Sequence, residues 1–278
     1  MKRKMFLAAM LMMAIGLQTS QAQTLRIWQN GKADTYDISM VDSVQFVESE
    51  FEWVDLGLPS GTLWATCNIG AHSPEEYGDY FAWGETQSKG YYGWESYAHC
   101  DYEEVSAIVS MTKYYDSYSG AVGADDLTEL LPEDDVATAK WGQEWQMPSN
   151  AQITELVDGS CTTTNLENVN GVMGWKITSN TNGNSIFLPS AGYRQFSGLI
   201  LEGKGYYWSR SLLEYEYTYG KCLYLTSNNI RVWNGERFFG MTVRPVRVQE
   251  SPYELADTLA LLSMMKALTA STGCARTT

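Results

Sequence analysis

The chain has 278 residues, with 33 Asp and Glu against 19 Lys and Arg, which leaves a formal net charge of −14. So acidic a chain repels phosphate backbones, and we therefore expect no nucleic-acid partner. The 10 Trp and 18 Tyr residues indicate a core rich in aromatic rings, since each ring buries a large area.

The N-terminus has the pattern of a secretory signal peptide. Lys2–Lys4 are basic, Met5–Leu17 form an apolar run, and Ser20 and Ala22 are the small residues that a signal peptidase reads. The apolar run is too short for a membrane span. We therefore expect residues 1–22 to be removed and the mature chain to be exported to the periplasm, the cell surface or the medium.

A small β-appendage is predicted over residues 24–48. Leu25–Gln29 alternates apolar and polar side chains, Asn30-Gly31 is a two-residue hairpin signal, and Thr35–Ile38 suits the return strand. Val44–Val47 is a third short strand. Because so small a sheet has no core of its own, we expect it to pack on the main domain or on a neighbour.

The main domain is predicted over residues 51–248 as short strands joined by long loops. Aromatic and β-branched residues favour strands, while Gly, Pro and Asn-Gly pairs mark the turns between them. The predicted strands are Trp53–Leu56, Thr62–Thr66, Trp175–Thr178, Ile186–Leu188, Tyr206–Trp208 and Thr242–Val248.

Two helices are predicted inside this domain. Three acids precede Val136–Trp141 and suit the positive end of a helix dipole, and Gly142 stops that helix. Ser149 or Asn150 caps the second helix, which is expected to end at Gly159.

A third helix is predicted beyond the domain, over residues 251–272. Ser251 and Glu254 form a capping box, and Leu255 and Leu259 follow at helical spacing. Charged residues within it argue against a membrane span. Whether this helix packs on its own domain or on a partner is left open.

Several motifs, in order along the chain, carry a family resemblance. They read VDLGLPSGTLWATCNIGA, YGDYFAWGET, DDVATAKWGQEWQMPS, NGNSIFLPSAGYR, GYYWSRS and FFGMTVRPVR. Over residues 51–248 the chain resembles the Fibrobacter succinogenes major paralogous domain family, which is widespread in exported bacterial proteins.

The resemblance implies an architecture. The family is similar to the C-type lectin-like fold shared with the formylglycine-generating enzymes, an α+β fold with small mixed or antiparallel sheets, two helices and long loops. It also implies that the ends of the domain meet, with strands near Trp53–Leu56 and Thr242–Val248 side by side. The family's biochemical activity is undefined, so the resemblance implies no mechanism.

The cysteines indicate no catalytic site. Export permits disulfides, but the odd number and the wide spacing leave the pairing open. If a disulfide forms, we favour Cys100–Cys161, because both residues flank loops. Formylglycine-generating enzymes use two cysteines in the C-terminal part of the fold, where this domain holds only Cys222. We therefore do not expect that activity.

The acidic residues of the middle of the chain are weighed as calcium ligands. Calcium takes about six to eight oxygens, and carboxylates cluster here. Lectin-type calcium motifs are missing, however, and helix capping also accounts for acids at a helix start. No cofactor is therefore predicted, and calcium is left as an option without a supporting motif. The acids are Asp125, Asp126, Glu129 and Glu133–Asp135.

The remaining titratable residues show no catalytic pattern. Glu214 and Glu216 alternate with tyrosines, so we expect them on the solvent side of a strand rather than as a glycosidase pair. His72 and His99 lack the flanking motifs of a zinc site or a catalytic triad and are interpreted as loop residues.

The run from Leu212 to Phe239 has the composition of a recognition surface. Rigid rings supply contact area, and amides and guanidinium groups supply hydrogen bonds. Ordinary sheet packing is the alternative. The candidate ligand-binding residues are Tyr215, Tyr217, Asn228, Asn229, Arg231, Trp233, Asn234 and Arg237. Six of them are expected to be at least partly exposed on one continuous surface, whereas Trp208 is assigned to the frame. These six are Tyr215, Asn228, Asn229, Arg231, Trp233 and Arg237.

The function predicted from the sequence is an exported, non-enzymatic domain that binds a glycan or a protein at the cell surface. The first alternative is an interaction module of a surface adhesin or assembly. The second is a degenerate relative of formylglycine-generating enzymes with residual activity. The ligand and the oligomeric state are left open.

Overall fold

The computed structural model describes residues 24–29, 32–37, 51–115 and 124–248. The chain divides into two compact units, Met1–Glu50 and Phe51–Thr278, and each is described by itself.

Several predictions lie outside the described residues. They are the signal peptide over residues 1–22, the strand Val44–Val47, the helix over residues 251–272, and any pairing of Cys274.

The first unit contains a β-hairpin. Strands β1 (Thr24–Gln29) and β2 (Lys32–Asp37) pair antiparallel, with Thr24 opposite Asp37 and Gln29 opposite Lys32. The predicted hairpin is confirmed, and its return strand starts three residues earlier than expected.

Within the described residues of the second unit, short strands alternate with turns and with two α-helices. The helices are α1 (Val136–Trp141) and α2 (Asn150–Leu156). The strands are β3 (Trp53–Asp55), β4 (Thr62–Ala65), β5 (Cys100–Glu103), β6 (Ile108–Met111), β7 (Thr162–Val169), β8 (Val172–Ser179), β9 (Ser185–Pro189), β10 (Tyr193–Gln195), β11 (Gly198–Ile200), β12 (Gly205–Leu212), β13 (Tyr219–Leu225), β14 (Ile230–Glu236) and β15 (Val246–Val248).

These strands pair antiparallel in small sheets of two or three strands. The orders are β15–β4–β3, β5–β6, β7–β8–β9, β10–β11 and β12–β13–β14. Small antiparallel sheets with two short helices in the described part of the chain are compatible with the predicted α+β class.

The two ends of the domain meet in one sheet, but they are not neighbours. Trp53 of β3 lies opposite Ala65 of β4, and Val246 of β15 lies opposite Trp64 on the other edge of β4. The prediction that β3 and β15 lie side by side is therefore wrong in detail. The turn at Gly61, whose φ of 68° suits glycine, folds β4 back between them.

Both helices of the domain begin at predicted caps. The Asp135 carboxylate accepts hydrogen bonds from the backbone N–H groups of Ala137 and Thr138, and Ser149 forms a capping box with Gln152. Helix α1 ends at Trp141, as predicted. Helix α2 ends at Leu156, before the predicted Gly159.

The sheet β12–β13–β14 separates two parts of the core. On one face, Trp208 of β12 and Cys222 of β13 pack in a cluster with Trp83. On the other face, Tyr207 and Leu223 pack in a cluster that includes residues of α2. Trp208 is fully buried, so its assignment to the frame is confirmed.

A pair of opposed glycines allows the indole rings to approach this sheet closely. Gly220 of β13 lies opposite Gly235 of β14. A Cβ atom on Gly220 would lie 2.7 Å from Cδ1 of Trp83, and one on Gly235 would lie 2.9 Å from Cη2 of Trp208. Any side chain at these positions would therefore displace core packing.

A buried arginine joins β4 to β9. Arg244 donates from Nε to Oδ1 of Asn68 at 2.8 Å, from Nη1 to the carbonyl of Thr66 at 2.7 Å, and from Nη2 to the carbonyl of Phe187 at 2.9 Å. Burial lowers the pKa of Arg244 to about 10, so the group keeps its charge at neutral pH.

Among the described residues, no helix has both the length and the apolar character needed to cross a membrane.

Candidate functional site

The eight candidate binding residues do not form one continuous surface. Asn228 and Asn229 lie in the turn between β13 and β14, whereas Tyr215 and Tyr217 lie in the turn before β13. A strand of the length of β13 separates its two ends by about 20 Å. Tyr215 is exposed, and Tyr217 packs against a separate cluster that contains Phe238.

Arg237 is fully buried, so the prediction that it faces a ligand is wrong. It donates from Nε to Oη of Tyr97 at 2.8 Å and from Nη1 to the carbonyls of Tyr114 and Tyr217 at 3.0 and 2.9 Å. It also donates from Nη2 to the carbonyl of Lys113 at 3.0 Å. These bonds use four of the five guanidinium N–H groups, and complete burial closes the side chain to a ligand.

Aromatic rings complete the enclosure of Arg237. Its guanidinium carbon lies 4.7 Å from the ring centroid of Trp83, 5.2 Å from that of Tyr97 and 5.8 Å from that of Tyr114. The cation is therefore stabilised by carbonyl oxygens and ring faces. This arginine holds loops together and belongs to the frame.

One predicted residue, Trp233, joins a row of rings that we call the aromatic platform. It consists of Tyr193, Tyr206, Tyr224, Trp233 and Phe239. Ring centroids lie 5.0 Å apart for Phe239–Tyr193, 5.0 Å for Tyr193–Tyr206, 5.0 Å for Tyr206–Tyr224 and 5.6 Å for Tyr224–Trp233. Trp233 is 42% exposed, so the row reaches the surface.

Strand register places three of these rings, Tyr206, Tyr224 and Trp233, on one face of the sheet. Tyr206 of β12 lies opposite Tyr224 of β13, which lies opposite Arg231 of β14. Because side chains alternate along a strand, Trp208 and Cys222 lie on the same face, two residues further along. The same face of the sheet is thus buried at Trp208 and Cys222 and becomes exposed at Trp233, on the edge strand β14.

A cavity of about 160 Å³ adjoins the platform. Tyr193, Tyr206, Trp233 and Phe239 line it, and Asn234 adds an amide. Aromatic rings and polar atoms therefore line the cavity together, and ligand sites combine aromatic side chains with convergent polar groups.

Arg231 lies over the platform. Its guanidinium carbon is 4.1 Å from the ring centroid of Trp233 and 5.9 Å from that of Tyr224. Such stacking fixes the direction of a side chain that is otherwise exposed. Arg231, Trp233 and Asn234 are therefore the predicted residues that the structure brings together.

Two platform tyrosines, Tyr193 and Tyr206, have raised pKa values and keep their hydroxyl protons at neutral pH. Burial, and secondarily the Glu202 carboxylate, raise the pKa of Tyr193, while Lys204 lowers it. Burial is also the main cause of the raised pKa of Tyr206, with nearby Tyr224 adding to it. These hydroxyls are thus able to donate hydrogen bonds.

Sequence reasoning missed four of the five platform residues. Tyr206 lies in the family motif that was assigned to the frame, and its neighbour Tyr207 faces the core instead. The motif GYYWSRS shows the alternation of a strand. Which face of that strand is exposed depends on the other segments that pack against it. The missed residues are Tyr193, Tyr206, Tyr224 and Phe239.

The predicted Cys100–Cys161 disulfide is contradicted, because both residues are free thiols. Cys100 packs in the cluster that contains Tyr97, and Cys161 packs in the one that contains Leu156. Cys222 is buried, which raises the pKa of its thiol and keeps it protonated. A protonated, enclosed thiol is a poor nucleophile.

The acids weighed as calcium ligands have structural partners. Asp125 accepts from the backbone N–H of Tyr114 at 2.7 Å, and Glu129 pairs with Arg210 at 2.9 Å. Asp135 caps α1. Within the described ranges, no group of three or more His, Cys, Asp or Glu side chains is arranged to hold a metal ion.

The acids and histidines that were considered for catalysis are not part of the aromatic platform. Glu214 is in a turn between β12 and β13, as is Glu216, so the predicted strand alternation is wrong there. The ring Nε2 of His99 lies 2.8 Å from the carbonyl oxygen of Gly84. His72 is exposed, and its backbone N–H donates to Glu76.

Two other cavities line different parts of the domain. One of about 510 Å³ is bordered mainly by acids, among them Glu95 and Asp101. One of about 260 Å³ lies between residues of β3 and β9, with Lys176 and Glu167 at its rim. Neither cavity has an exposed tryptophan with a guanidinium group against its ring, as the aromatic platform has at Trp233 and Arg231.

No family model matches this chain, and no curated protein or solved structure is similar enough to match it.

Proposed function

We propose that this chain is an exported, non-enzymatic domain on a C-type lectin-like scaffold, and that it binds a glycan at the cell surface. The observation that carries the proposal is the aromatic platform, with Trp233 at its open end and the amide of Asn234 beside it. A sugar ring has an apolar C–H face and a rim of hydroxyls. Stacked rings suit the face, and amide and phenol groups suit the rim.

The scaffold and the location are argued separately. Small antiparallel sheets with two helices are compatible with a lectin-like fold, and the motifs over residues 51–248 support it. The basic and apolar pattern of residues 1–22 supports export. An exported domain with an aromatic surface is well suited to recognise polysaccharide outside the cell.

A glycan array compares the mature protein with two tryptophan variants. Trp233→Ala removes the open end of the platform, and Trp53→Ala is a matched control, because Trp53 is 44% exposed on β3. We expect Trp233→Ala to lose at least about 30-fold in affinity, as central aromatic contacts are worth about 2 kcal/mol or more. Trp53→Ala should bind like the wild type. Equal binding by both variants would contradict the proposal.

A second function, an interaction module, is favoured by one observation. The hairpin β10–β11 exposes apolar side chains at its tip, where Phe196 is 50% exposed and has a φ of 51°. Leu199 and Leu201 are exposed beside it. If the hairpin is the main site, Phe196→Ser should lose association with the cell surface, and Trp233→Ala should keep it.

A further inference from the structure

The charge of Arg231 is not neutralised by any described residue. Its guanidinium contacts the rings of Trp233 and Tyr224, and no ion pair joins it to a carboxylate in the described part of the chain. Arg210 and Arg247, in contrast, pair with carboxylates at 2.9 and 3.1 Å.

Carboxylates near the platform do not cancel this charge. Glu202 is paired with Lys204 at 2.5 Å. Glu236 lies at the far end of β14, five residues from Arg231, or about 17 Å along the strand. That separation exceeds the screening length of about 8 Å at physiological ionic strength. The Arg231 end of the platform is thus locally positive in a chain of net charge −14.

The Arg231 guanidinium lies against the Trp233 ring, and its N–H groups have no hydrogen-bond partner among the described residues. A guanidinium that lies over an indole ring covers its own face and points its N–H groups outward in the plane. That fork matches the two oxygens of a carboxylate. Trp233 also lines the cavity beside Asn234, so one ring links this cavity to the cation.

We propose that the ligand is an acidic glycan whose sugar carboxylate binds Arg231, an inference that rests on the proposed glycan-binding function. The sugar ring stacks on the platform at Trp233 and Tyr206, and the carboxylate accepts two hydrogen bonds from the guanidinium. Uronate and sialate residues both carry this group.

The test uses matched pairs of oligosaccharides that differ in the carboxylate. Hexagalacturonate is compared with its methyl ester, cellouronate with cellohexaose, and sialyllactose with lactose. We expect the acidic member of at least one pair to bind at least about tenfold more tightly, with an affinity that falls as salt rises. Arg231→Gln should reduce that preference to less than about twofold, and Arg231→Lys should keep part of it.

Each outcome bears on the acidic ligand, on glycan binding by the platform, or on both proposals. Equal binding of acidic and neutral members, sensitive to Trp233→Ala, would overturn the acidic ligand and leave glycan binding intact. An acidic preference that survives Arg231→Gln would also overturn it. Displacement of the sugar by hexaglutamate at equal concentration would identify a general anion site instead. Failure to bind any member, charged or neutral, counts against both proposals.

Discussion

Replacement of Arg237 by Met should destabilise the domain without touching the proposed binding site. The change removes four hydrogen bonds of 2.8 to 3.0 Å and leaves three backbone carbonyls without their donor. Removing one partner from a buried charged network costs about 3–5 kcal/mol. For a domain of this size, each kcal/mol lowers Tm by about 2–4 °C, so we expect a fall on the order of 10 °C.

Arg231→Met is the matched control for this prediction. Arg231 is also an arginine on aromatic rings, but it is exposed and makes only the contacts with Trp233 and Tyr224. Such a contact is worth about 0.5–1 kcal/mol, so its loss should lower Tm by less than about 4 °C.

Thermal unfolding followed by near-ultraviolet circular dichroism, with a urea titration as a second measure, separates the two variants. Below its Tm, Arg237→Met should bind the ligand as the wild type does. A Tm within about 2 °C of the wild type would refute the reasoning about the buried guanidinium. A loss of stability in Arg231→Met as large as that in Arg237→Met would refute the same reasoning.

Three further predictions concern packing, pH and thiol chemistry. Gly220→Ala should lower the free energy of unfolding by about 1–3 kcal/mol because its Cβ meets Trp83, whereas Gly159→Ala, with open space around it, should be neutral in a urea titration. Burial raises the pKa of the Glu236 carboxyl, so the native state binds this proton more tightly than the unfolded state does. The stability that the bound proton contributes is lost as pH rises through the native pKa. Glu236→Gln should therefore be more stable than the wild type at pH 7 and equal to it below the unfolded pKa of 4.5; the opposite order would reject this sign. Alkylation of the native protein by iodoacetamide should spare Cys222 until the domain unfolds, and rapid labelling would show that it is accessible.

Local signals in the sequence predicted the two helix starts and the hairpin turns at Asn30-Gly31 and Asn170-Gly171, but not the hairpins β5–β6 and β10–β11. The caps at Asp135 and Ser149 act within four residues of each helix start. The pair Asn170-Gly171 has φ values of 50° and 89°, which suit the tight turn between β7 and β8. These features depend on neighbours along the chain, so the sequence alone is sufficient to find them.

Burial of a single polar residue could not be predicted in the same way. Arg237 has the composition of a binding residue, but its partners come from distant segments, including Tyr97, which is 140 positions away in the sequence. The two turns at the ends of β13 have similar compositions, so the sequence predicts one surface for their residues. Composition alone does not show that a strand separates the two turns.

The platform depends on the meeting of separate segments. Tyr193 belongs to β10, Tyr206 to β12, Tyr224 to β13 and Trp233 to β14. Of these, Trp233 was recognised because its neighbours Arg231 and Asn234 also have binding character. The others have the composition of ordinary strand residues. The register of β12–β13 aligns Tyr206 with Tyr224, and Tyr193 joins them from β10.

The most direct test of glycan binding by the platform follows the indole N–H resonances during titration with the tightest-binding oligosaccharide. The protein has 10 Trp residues, and single substitutions assign the signals of Trp233 and Trp53. Binding at the platform predicts a saturable shift of the Trp233 indole and the Asn234 amide, with Trp53 unchanged. Shifts confined to the hairpin around Phe196, with Trp233 unmoved at saturation, would contradict it.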